Sequence, residues 1–347
     1  MKVSEPGTPS SEPSLSIVVI TRNTQDLLRN LLKSAQADRQ LKPILADVTV
    51  IDNHSTDGTV SMVRREFPWV FLVENDRNTG FAAAANMGIS RSRGSYVLFL
   101  NSDTVLMEGE VPAMVQFMNE EPHVGICGPQ LVYEDMRPQR SYAHIPSLLF
   151  EIVPRSFLEF LFPTKYSAKH ALKKEAASAT GGTLDSQSRT SQKVALDVPS
   201  LIGAAIVARK ELLDSLGGFD EGFFFFLEET DLCIRAKREG ARVVFLPSTK
   251  VVHLQGRTVR KNWVEGRIQY NISLYRFIRK HHGGLYYRLF QGIRLVKSFF
   301  VPLLLTAAPV LLLHRRTRMT YGYYARLFLW HVRGCPEDGG LLLSSPG

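Results

Sequence analysis

The sequence Tyr-Val-Leu-Phe-Leu-Asn-Ser-Asp at residues 96–103 joins an unbroken apolar run directly to a polar end. A short apolar run closed by polar residues is typical of a strand buried on both faces. Similar apolar runs, each followed by polar residues, lie at 15–20, 48–51 and 70–73. In the segments between these runs, apolar residues recur at helical spacing, as from Leu27 to Ala35. Such strands alternating with helices predict a Rossmann-like α/β fold, a mainly parallel sheet flanked by helices.

The polar residues after these strands are candidates for a ligand site, because open α/β sheets bind ligands at the carboxyl ends of their strands. Asp52 is placed to accept hydrogen bonds from a base or a ribose, or else holds its own turn, as Asp57 is expected to do. Asp103 is held at a rigid strand end. Mg²⁺ or Mn²⁺ needs only one or two carboxylates when substrate phosphates complete its shell, so Asp103 is a candidate metal ligand. The alternative is a turn carboxylate that caps the next helix.

The second half of the chain changes in character. Residues 167–193 lack apolar periodicity and predict a mobile insertion, and the Ser/Pro-rich residues 1–14 predict a disordered tail. Order then resumes, with strands expected at 201–207, 242–246 and 251–253 and helices at 210–216 and 228–239.

Acidic residues open the helix expected at 228–239, directly after an aromatic run. Glu228, Glu229 and Asp231 stabilise a first helical turn whether or not they have a function. A carboxylate desolvated by aromatic side chains also has a raised pKa, which suits a general base.

His253 ends a predicted strand, where it is either a packed histidine or a metal ligand. The loop after it is basic and contains glycine. Its cations suit a diphosphate, or else are solvated surface charge: Arg257, Arg260 and Lys261.

Charge indicates which partners the protein binds, and cysteine content indicates the cellular compartment in which it resides. The chain has 42 Lys+Arg against 33 Asp+Glu, a net charge of +9, with the cations crowded into the C-terminal third. This favours anionic partners, and we expect a membrane surface and no nucleic acid. The three cysteines show no C-x-x-C spacing, and residues 1–14 lack the apolar region of a signal peptide, so we expect a reducing, cytoplasmic location.

Residues 298–313 form a stretch of sixteen residues without a charge, flanked by cations. A spanning helix needs about 20 apolar residues, and Pro302 and Pro309 interrupt this stretch. We therefore expect an interfacial or re-entrant segment that places the protein peripherally on the inner face of the cell membrane. A buried helix or a homodimer contact is the alternative. A membrane location would make a lipid-linked saccharide the natural acceptor of a transfer reaction.

Seven segments, in this order, resemble the family 2 glycosyltransferases with the GT-A fold, and within them the bacterial rhamnosyltransferase-like branch. They lie at 18–23, 50–59, 78–82, 100–104, 217–221, 228–233 and 251–253. The resemblance implies a GT-A domain over 15–265, followed by a helical, basic, membrane-associating region at 266–347. It also implies a nucleotide pocket formed by Thr21, Arg22, Asn23, Asp52, Asn53, Asn78, Gly80, Phe81, Asn86, Ser102 and Asp103.

The same resemblance implies the catalytic roles. Asp103 would belong to the D-x-D-like metal motif, with His253 as the second protein ligand of Mn²⁺ or Mg²⁺. Glu229 would be the catalytic base, with Glu228 and Asp231 supporting it or contacting the acceptor. Two departures stand out: the metal motif is Asn-Ser-Asp, and the family's Glu-Asp pair is Glu-Glu, which makes Glu228 a rival base.

The implied activity is an inverting, metal-dependent transfer of a sugar, with dTDP-rhamnose as the favoured donor. The acceptor would be lipid-linked or a polysaccharide of the cell envelope. The alternatives are a non-catalytic membrane scaffold of the same fold and a sugar nucleotidyltransferase, although the early glycine-rich, Arg-containing loop of the latter is missing. A dinucleotide oxidoreductase is disfavoured because no G-x-G-x-x-G follows the first strand.

Overall fold

The computed structural model of the chain describes residues 14–153, 155–161, 195–254, 263–307 and 314–337. The insertion expected at 167–193 and all but the last residue of the tail expected at 1–14 lie outside these ranges. The described strands are β1 Leu15–Thr21, β2 Leu45–Asp52, β3 Phe71–Glu74, β4 Tyr96–Asn101, β5 Thr104–Leu106, β6 Val124–Val132, β7 Tyr142–Ala143, β8 Leu196–Asp197, β9 Ser200–Leu201, β10 Ala205–Arg209 and β11 Arg242–His253. The helices are α1 Gln25–Ala37, α2 Thr59–Glu66, α3 Gly80–Arg91, α4 Glu110–Glu120, α5 Leu148–Ile152, α6 Arg155–Leu161, α7 Lys210–Ser215, α8 Glu228–Arg238, α9 Trp263–His282, α10 Gly284–Ala307 and α11 Arg315–Val332.

One large mixed sheet organises the domain. Its strand order is β3-β2-β1-β4-β10-β6-β11-β5, with β8 also paired to β11. The four strands predicted in the first half are present and parallel to one another. In the second half, β10 runs antiparallel to β4 and β6, whereas β11 is parallel to β6. The expectation of a mainly parallel sheet flanked by helices is confirmed.

Strand β1 shows why its sequence is apolar without a break. Ile17 and Val19 point into a core that contains Leu28 and other residues of α1, while Val18 points into the core on the opposite face with Phe81 of α3. Successive side chains of a strand face opposite sides of the sheet, so a strand covered on both faces is apolar throughout.

Two predicted element boundaries were wrong. The strand expected at 201–207 is two strands, β9 and β10, because the chain turns at Ile202 to Ala204. The strands expected at 242–246 and 251–253 are one strand, β11, whose pairing with β6 shifts register between Leu246 and Lys250. Apolar periodicity does not reveal either irregularity.

The C-terminal region is helical, as predicted. Helices α9, α10 and α11 form a third core cluster, which includes Phe277, Phe290 and Leu327. Phe223 and Leu227, which precede α8, belong to the same cluster. The C-terminal helices are therefore packed against the segment that leads into the acidic first turn of α8.

Candidate active site

The carboxyl ends of β1, β2 and β4 lie side by side. Thr21 pairs with Asp52, and Ile20 pairs with Asn101. The loops that follow these strands therefore start from one edge of the sheet, as the sequence predicted.

Asp52 is buried at this edge, with 2% of its surface exposed. Its Oδ2 accepts a hydrogen bond of 2.8 Å from the backbone N–H of Ser55. Its Oδ1 has no hydrogen-bond partner among the described residues. Because a buried carboxylate oxygen without a partner is costly, Asp52 holds its own turn with one oxygen and is suited to accept a ligand hydrogen bond with the other.

Three asparagines expected in the nucleotide pocket shape its loops. Asn23 Oδ1 accepts a 2.7 Å bond from the N–H of Thr56. Asn53 is buried and donates from Nδ2 to the carbonyl of Gly80 at 2.8 Å, and Asn78 Oδ1 accepts from the N–H of the same glycine at 3.1 Å. These amide groups are engaged by protein atoms, so their structural task is to hold the loops at the sheet edge.

Hydroxyl groups connect the loop after β1 to the loop after β4. Thr24 lies directly before α1, but no side-chain capping bond forms there. Instead its hydroxyl lies 2.6 Å from that of Thr21 and donates to Ser102 Oγ at 2.9 Å. Arg22, also expected in the pocket, is half-buried beside them.

Asn86, which the resemblance also implies for the nucleotide pocket, bonds the turn after α7. Its Oδ1 accepts from the N–H of Phe219 at 2.8 Å, and its Nδ2 donates to the carbonyl of the same residue at 2.9 Å and to Glu221. Both ends of the amide are used there, so Asn86 positions the turn at 217–222.

Gly80 and Phe81 receive the aromatic segment at 223–227. The N–H of Phe81 donates to the carbonyl of Phe224 at 2.8 Å. Gly80 has φ +82°, and a Cβ atom on it would lie 2.4 Å from the same carbonyl oxygen. Only glycine fits this approach, which holds the aromatic segment on the N-terminus of α3.

Asp103 and His253 meet at the pairing of β5 with β11. His253 pairs with Thr104, and its Nε2 lies 3.4 Å from Asp103 Oδ1. Gln139 fixes the imidazole from behind. The Nε2 of Gln139 donates to the carbonyls of Val132 at 3.1 Å and of His253 at 2.5 Å, so its Oε1 accepts from His253 Nδ1 at 3.1 Å. His253 Nε2 is then left with a lone pair directed at the carboxylate.

This arrangement fits a divalent cation. A lone pair and a carboxylate at close range require a positive charge between them, either a proton or a metal ion. An imidazole whose other nitrogen donates to a fixed acceptor is the usual form of a histidine ligand. In the described ranges no three His, Cys, Asp or Glu side chains converge, so oxygen atoms of a substrate would have to complete the shell. Gln139 was missed from the sequence because a lone glutamine in a loop carries no spacing signal.

Glu228 and Glu229 begin α8 after two strained residues. Phe226 and Leu227 have φ values of 74° and 67°, a left-handed conformation that is costly for side chains of this size. Burial raises the pKa of Glu229 to about 7, although the side chain stays partly exposed. Burial and then the charge of Glu229 raise the pKa of Glu228 well above its ordinary value, and Glu228 Oε2 has no hydrogen-bond partner among the described residues.

Glu229 lies at the same sheet edge as Asp103. A Cβ atom on Gly203 would lie 3.5 Å from Glu229 Cγ. The next residue, Ala204, accepts a 3.0 Å bond from the N–H of Asn101 at the end of β4, two residues before Asp103. Glu229 is therefore connected, through Gly203 and the bond between Ala204 and Asn101, to the strand end that leads to Asp103.

Asp231 turns inward, away from this edge. It is fully buried, and its carboxylate contacts Arg235 at 2.7 Å, Lys280 at 2.6 Å and His281 at 2.8 Å. Burial alone would raise the pKa of Asp231, but hydrogen bonds from His281, Lys280 and Arg235 outweigh it and lower the pKa to about 2. Of the two roles expected for Asp231, support of the base fits this environment and acceptor contact does not.

One face of α9 holds the loop before α8, and the sequence reasoning missed it. Ser273 donates to the carbonyl of Phe225 at 2.7 Å. Arg276 and Lys280 bind Asp220 at 3.1 and 2.7 Å. The spacing of these three residues on one helix face is the available signal, but the crowding of cations in this region, Arg276 and Lys280 among them, predicts a membrane-facing surface instead. The basic loop with Arg257, Arg260 and Lys261 lies outside the described residues.

Comparison with known proteins gives a consistent family and fold. Residues 16–216, more than half of the chain, match the family described as Glycosyl transferase family 2. The N-acetylglucosaminyl-diphospho-decaprenol L-rhamnosyltransferase of Mycobacterium tuberculosis is 23% identical over 281 residues, 78% of this chain and 85% of that protein. The O-antigen biosynthesis protein RfbC of Myxococcus xanthus is 22% identical over 250 residues, 72% of this chain but only 18% of that protein.

The mannosyltransferase PcManGT of Pyrobaculum calidifontis, in complex with GDP-Man and Mn²⁺, aligns with a TM-score of 0.55 at 19% identity, over 94% of this chain and 88% of that one. The expected GT-A fold is confirmed.

Proposed function

The chain belongs to glycosyl transferase family 2 and is a glycosyltransferase, and from this premise we propose that it transfers a sugar from a nucleoside diphosphate donor to a hydroxyl group in cell-envelope glycan synthesis. The favoured donor is dTDP-rhamnose and the favoured acceptor is lipid-linked or a polysaccharide. The relative from Mycobacterium tuberculosis, named for L-rhamnosyl transfer to a diphospho-decaprenol sugar, supports the rhamnosyl group and the lipid-linked acceptor.

The observation that carries the proposal is that Glu229 packs against Gly203, whose neighbour Ala204 is bonded to Asn101 at the strand end that leads to Asp103. With a pKa of about 7, Glu229 ionises near neutral pH and is matched to general-base work. Glu228 is more deeply buried, and burial and then the charge of Glu229 raise its pKa well above the ordinary value. These features favour Glu229 as the base and make Glu228 the less suitable of the two.

The donor would bind at the carboxyl ends of β1, β2 and β4. The buried Asp52 Oδ1 is the acceptor suited to the base or ribose of the nucleotide. Asp103 and His253 would hold Mn²⁺ or Mg²⁺ against the diphosphate. When bound, the cation supplies stabilisation of the negative charge that develops on the leaving diphosphate.

The transfer is a single displacement. The acceptor oxygen forms a bond to the anomeric carbon from the face opposite the phosphate, while the bond from that carbon to the phosphate oxygen breaks. The acceptor proton passes to Glu229, and the electron pair of the broken bond leaves with the nucleoside diphosphate. One displacement inverts the anomeric centre.

The test is nucleoside diphosphate release from a panel of sugar nucleotides, with Mn²⁺ or Mg²⁺ and lipid-linked saccharides as acceptors. We expect release from one donor, stimulation by acceptor, loss with a chelator, and a product of inverted anomeric configuration by NMR. Release from no donor would favour the scaffold alternative. Release of pyrophosphate from a nucleoside triphosphate and a sugar phosphate would favour the nucleotidyltransferase.

We also propose that the protein acts peripherally at the inner face of the cell membrane, with α10 at the lipid. By length and composition α10 is the one helix of the described chain that could cross a membrane, with a mean hydropathy of 1.4. However, Arg294 of α10 binds Glu151 at 2.5 Å, and Phe290 is buried against α9 and α11. One face of the helix is thus fixed to the protein, while apolar side chains on its other face are exposed, which suits a helix lying in the interface.

A further inference from the structure

Two carboxylates flank the stretch of chain that carries the base. Asp220 belongs to the turn after α7 and Asp231 to the first turn of α8, and Glu229 lies between them in sequence. Lys280 of α9 binds both carboxylates: its Nζ lies 2.7 Å from Asp220 Oδ2 and 2.6 Å from Asp231 Oδ1. One ammonium group therefore joins the two ends of residues 220–231, which we call the base loop.

The two ion pairs of Lys280 are shielded from water to different degrees. The side chain of Asp231 is fully buried, whereas those of Asp220 and Lys280 are 22% and 32% exposed. Burial alone would raise the pKa of both carboxyls, but the hydrogen bond from Lys280 is among the contacts that lower both pKa values. Exposed ion pairs contribute little to stability, whereas removing one partner of a buried pair leaves a costly charge. We therefore expect the bridge to persist in solution.

The same face of α9 contacts the base loop between its two ends. Ser273, Arg276 and Lys280 follow one another at spacings of three and four residues, so they share one face of the helix. Ser273 Oγ donates to the carbonyl of Phe225 at 2.7 Å. The cations of Arg276 and Lys280 lie over the ring of Phe223, 5.5 and 5.8 Å from its centroid. The first half of the base loop is thus held against α9.

The second half of the base loop contains the strained turn before the base. Phe226 and Leu227 have positive φ values, and backbone of this kind persists only where the surrounding structure holds it. The carbonyl of Leu227 accepts a 2.9 Å bond from the N–H of Asp231, so the strained turn is bonded to the residue that Lys280 binds. A movement of Asp231 would therefore displace the turn from which Glu229 extends.

Lys280 has a different place from the other cations at these carboxylates. Arg276 binds the carboxylate at the start of the base loop, whereas Arg235 and His281 bind the one at its end. Arg235 belongs to α8 itself, so its bond stays within one helix. Lys280 is bonded to both carboxylates, and the separation of the two ends therefore depends on its ammonium group.

We propose that Lys280 is a positioning residue of the transfer reaction: by binding Asp220 and Asp231 together it holds the base loop so that Glu229 keeps its place against Gly203. The proposal rests on the proposed transferase function. Lys280 acts through the base loop, so its removal should displace the base without altering the loops after β1, β2 and β4. A displacement of about 1 Å in a reacting group can cost roughly 100-fold in rate.

The test compares three variants of the full-length protein with wild type. Lys280→Met removes the ammonium group and keeps an unbranched side chain, whereas Lys280→Arg keeps a cation with donors for two carboxylates. Arg279→Met is the matched control, because Arg279 is the neighbouring residue of α9, carries the same charge and is exposed. Steady-state rates are measured at a temperature at which chemical unfolding shows each variant to be fully folded.

We expect Lys280→Met to lower kcat about tenfold to 100-fold without raising the KM for the donor. Lys280→Arg should recover most of this loss, and Arg279→Met should have the kcat of wild type. A folded Lys280→Met protein with the kcat of wild type would refute the positioning role. A loss of kcat that Lys280→Arg does not reduce would refute it as well.

A double variant tests whether Lys280 acts through Asp220. Asp220→Asn and Lys280→Met both break the bridge, so together they should lower kcat by less than the product of their separate effects. Separate effects that multiply would show that Lys280 acts independently of Asp220, which would refute the bridge.

Hydrogen exchange gives a readout of the bridge that needs no turnover. Amides of the base loop should exchange faster in Lys280→Met than in wild type and Arg279→Met, because one attachment of the loop is lost. Unchanged exchange would refute the bridge even if kcat fell. Failure of the wild-type protein to release nucleoside diphosphate from any donor, with or without acceptor, would instead refute the transferase function.

Discussion

The two glutamates that begin α8 differ in their exposure. Glu228 is 5% exposed, and burial raises its pKa well above the ordinary value, whereas Glu229 is partly exposed with a pKa of about 7. The base must be ionised, so we expect kcat/KM to rise with pH and to level off above about pH 7. Glu229→Gln should lower kcat by about 100- to 10,000-fold on the plateau above about pH 7, and the deficit should shrink in acid as the wild-type base is protonated.

Glu228→Gln is the matched control for this assignment, because glutamine imitates the protonated form that burial favours for Glu228. The variant should keep the rising limb of the pH profile near pH 7 and most of the activity. Pre-steady-state or steady-state rates from pH 5 to 9 measure both variants. An inactive Glu228→Gln beside an active Glu229→Gln would transfer the role to Glu228.

Folding stability gives a second readout of the raised pKa of Glu229. The folded state binds this proton more tightly than the unfolded state, so stability from this group is full below the ordinary glutamate pKa and is lost as pH rises through about 7. Glu229→Gln should therefore be more stable than wild type above pH 7 and lose this advantage in mild acid.

At the scale of elements, Gly80 decides whether the aromatic segment can rest on α3. Gly80→Ala places a methyl group in a left-handed conformation and within 2.4 Å of the carbonyl oxygen of Phe224. Gly217→Ala is matched to it, since Gly217 has φ +69° and nothing lies within 4 Å of its Cβ position. We expect Gly217→Ala to cost roughly 1–2 kcal/mol of stability, the penalty of the conformation alone.

Gly80→Ala should cost more than its control and should also lower kcat, because the backbone displaced by the methyl group leads directly to Glu228 and Glu229. Urea unfolding and steady-state kinetics on both variants test this. Equal stability and equal kcat in the two variants would show that the close approach of Phe224 to Gly80 contributes neither to stability nor to activity.

Asp231 joins α8 to α9 through buried charge. Asp231→Asn leaves Lys280, His281 and Arg235 around a neutral amide, and breaking a buried ion pair in this way costs roughly 3–5 kcal/mol. The pKa of Asp231 is lowered to about 2, so its stabilisation is present above the unfolded pKa near 4 and is lost as pH falls towards 2. The deficit of Asp231→Asn should thus be full at pH 7 and shrink in acid.

Asp214→Asn provides the comparison for Asp231→Asn. Asp214 forms an exposed pair with Lys210 four residues earlier on α7, and exposed pairs of this kind contribute about 0.3–0.5 kcal/mol. Chemical unfolding at pH 7 and pH 3 measures the loss of unfolding free energy in each of the two variants. A deficit no larger for Asp231→Asn than for Asp214→Asn would contradict the linking role.

These elements also show how much of the fold and of the candidate site can be predicted from the sequence. The four strands of the first half were predictable because each contains a short apolar run closed by polar residues; β1, β2 and β4 are mostly buried, whereas the edge strand β3 is partly exposed. The antiparallel direction of β10 was not, since periodicity carries no information on strand direction. In the site, Asp52, Asp103 and Glu229 were predictable from their places at element ends. The partners of Asp231 were not, because His281 is 50 residues away in sequence.

At the scale of the whole molecule, the C-terminal helices connect the site to the exposed apolar face of α10. Phe223 and Leu227 share a core with α9, α10 and α11. A membrane that binds α10 would therefore also orient the segment before Glu229. On the outer face of α10, exposed apolar side chains recur at helical spacing: Leu285, Leu289, Val296, Phe300 and Leu304. With the net charge of +9, this face suits an anionic lipid surface.

Substitution within this face tests the membrane proposal. Leu289→Asp, Val296→Asp and Leu304→Asp alter side chains that are 54%, 55% and 66% exposed, so the fold should be retained. Each should weaken binding to anionic vesicles, because inserting one such side chain is worth about 1.5–3 kcal/mol. Phe71→Asp, 61% exposed on edge strand β3, is the control and should bind as wild type does.

Vesicle co-sedimentation at low and high salt measures the binding, and alkaline carbonate extraction distinguishes a peripheral helix from a crossing one. A helix held to the protein by Arg294 and Phe290 along one face has only its outer face available to lipid. The protein should therefore be released by carbonate, and its binding should weaken with salt because part of the attraction is electrostatic. Retention after carbonate would mean that α10 leaves its packed position and spans the bilayer. Binding to vesicles that is equal for wild type and all three α10 variants would show that another surface contacts the membrane.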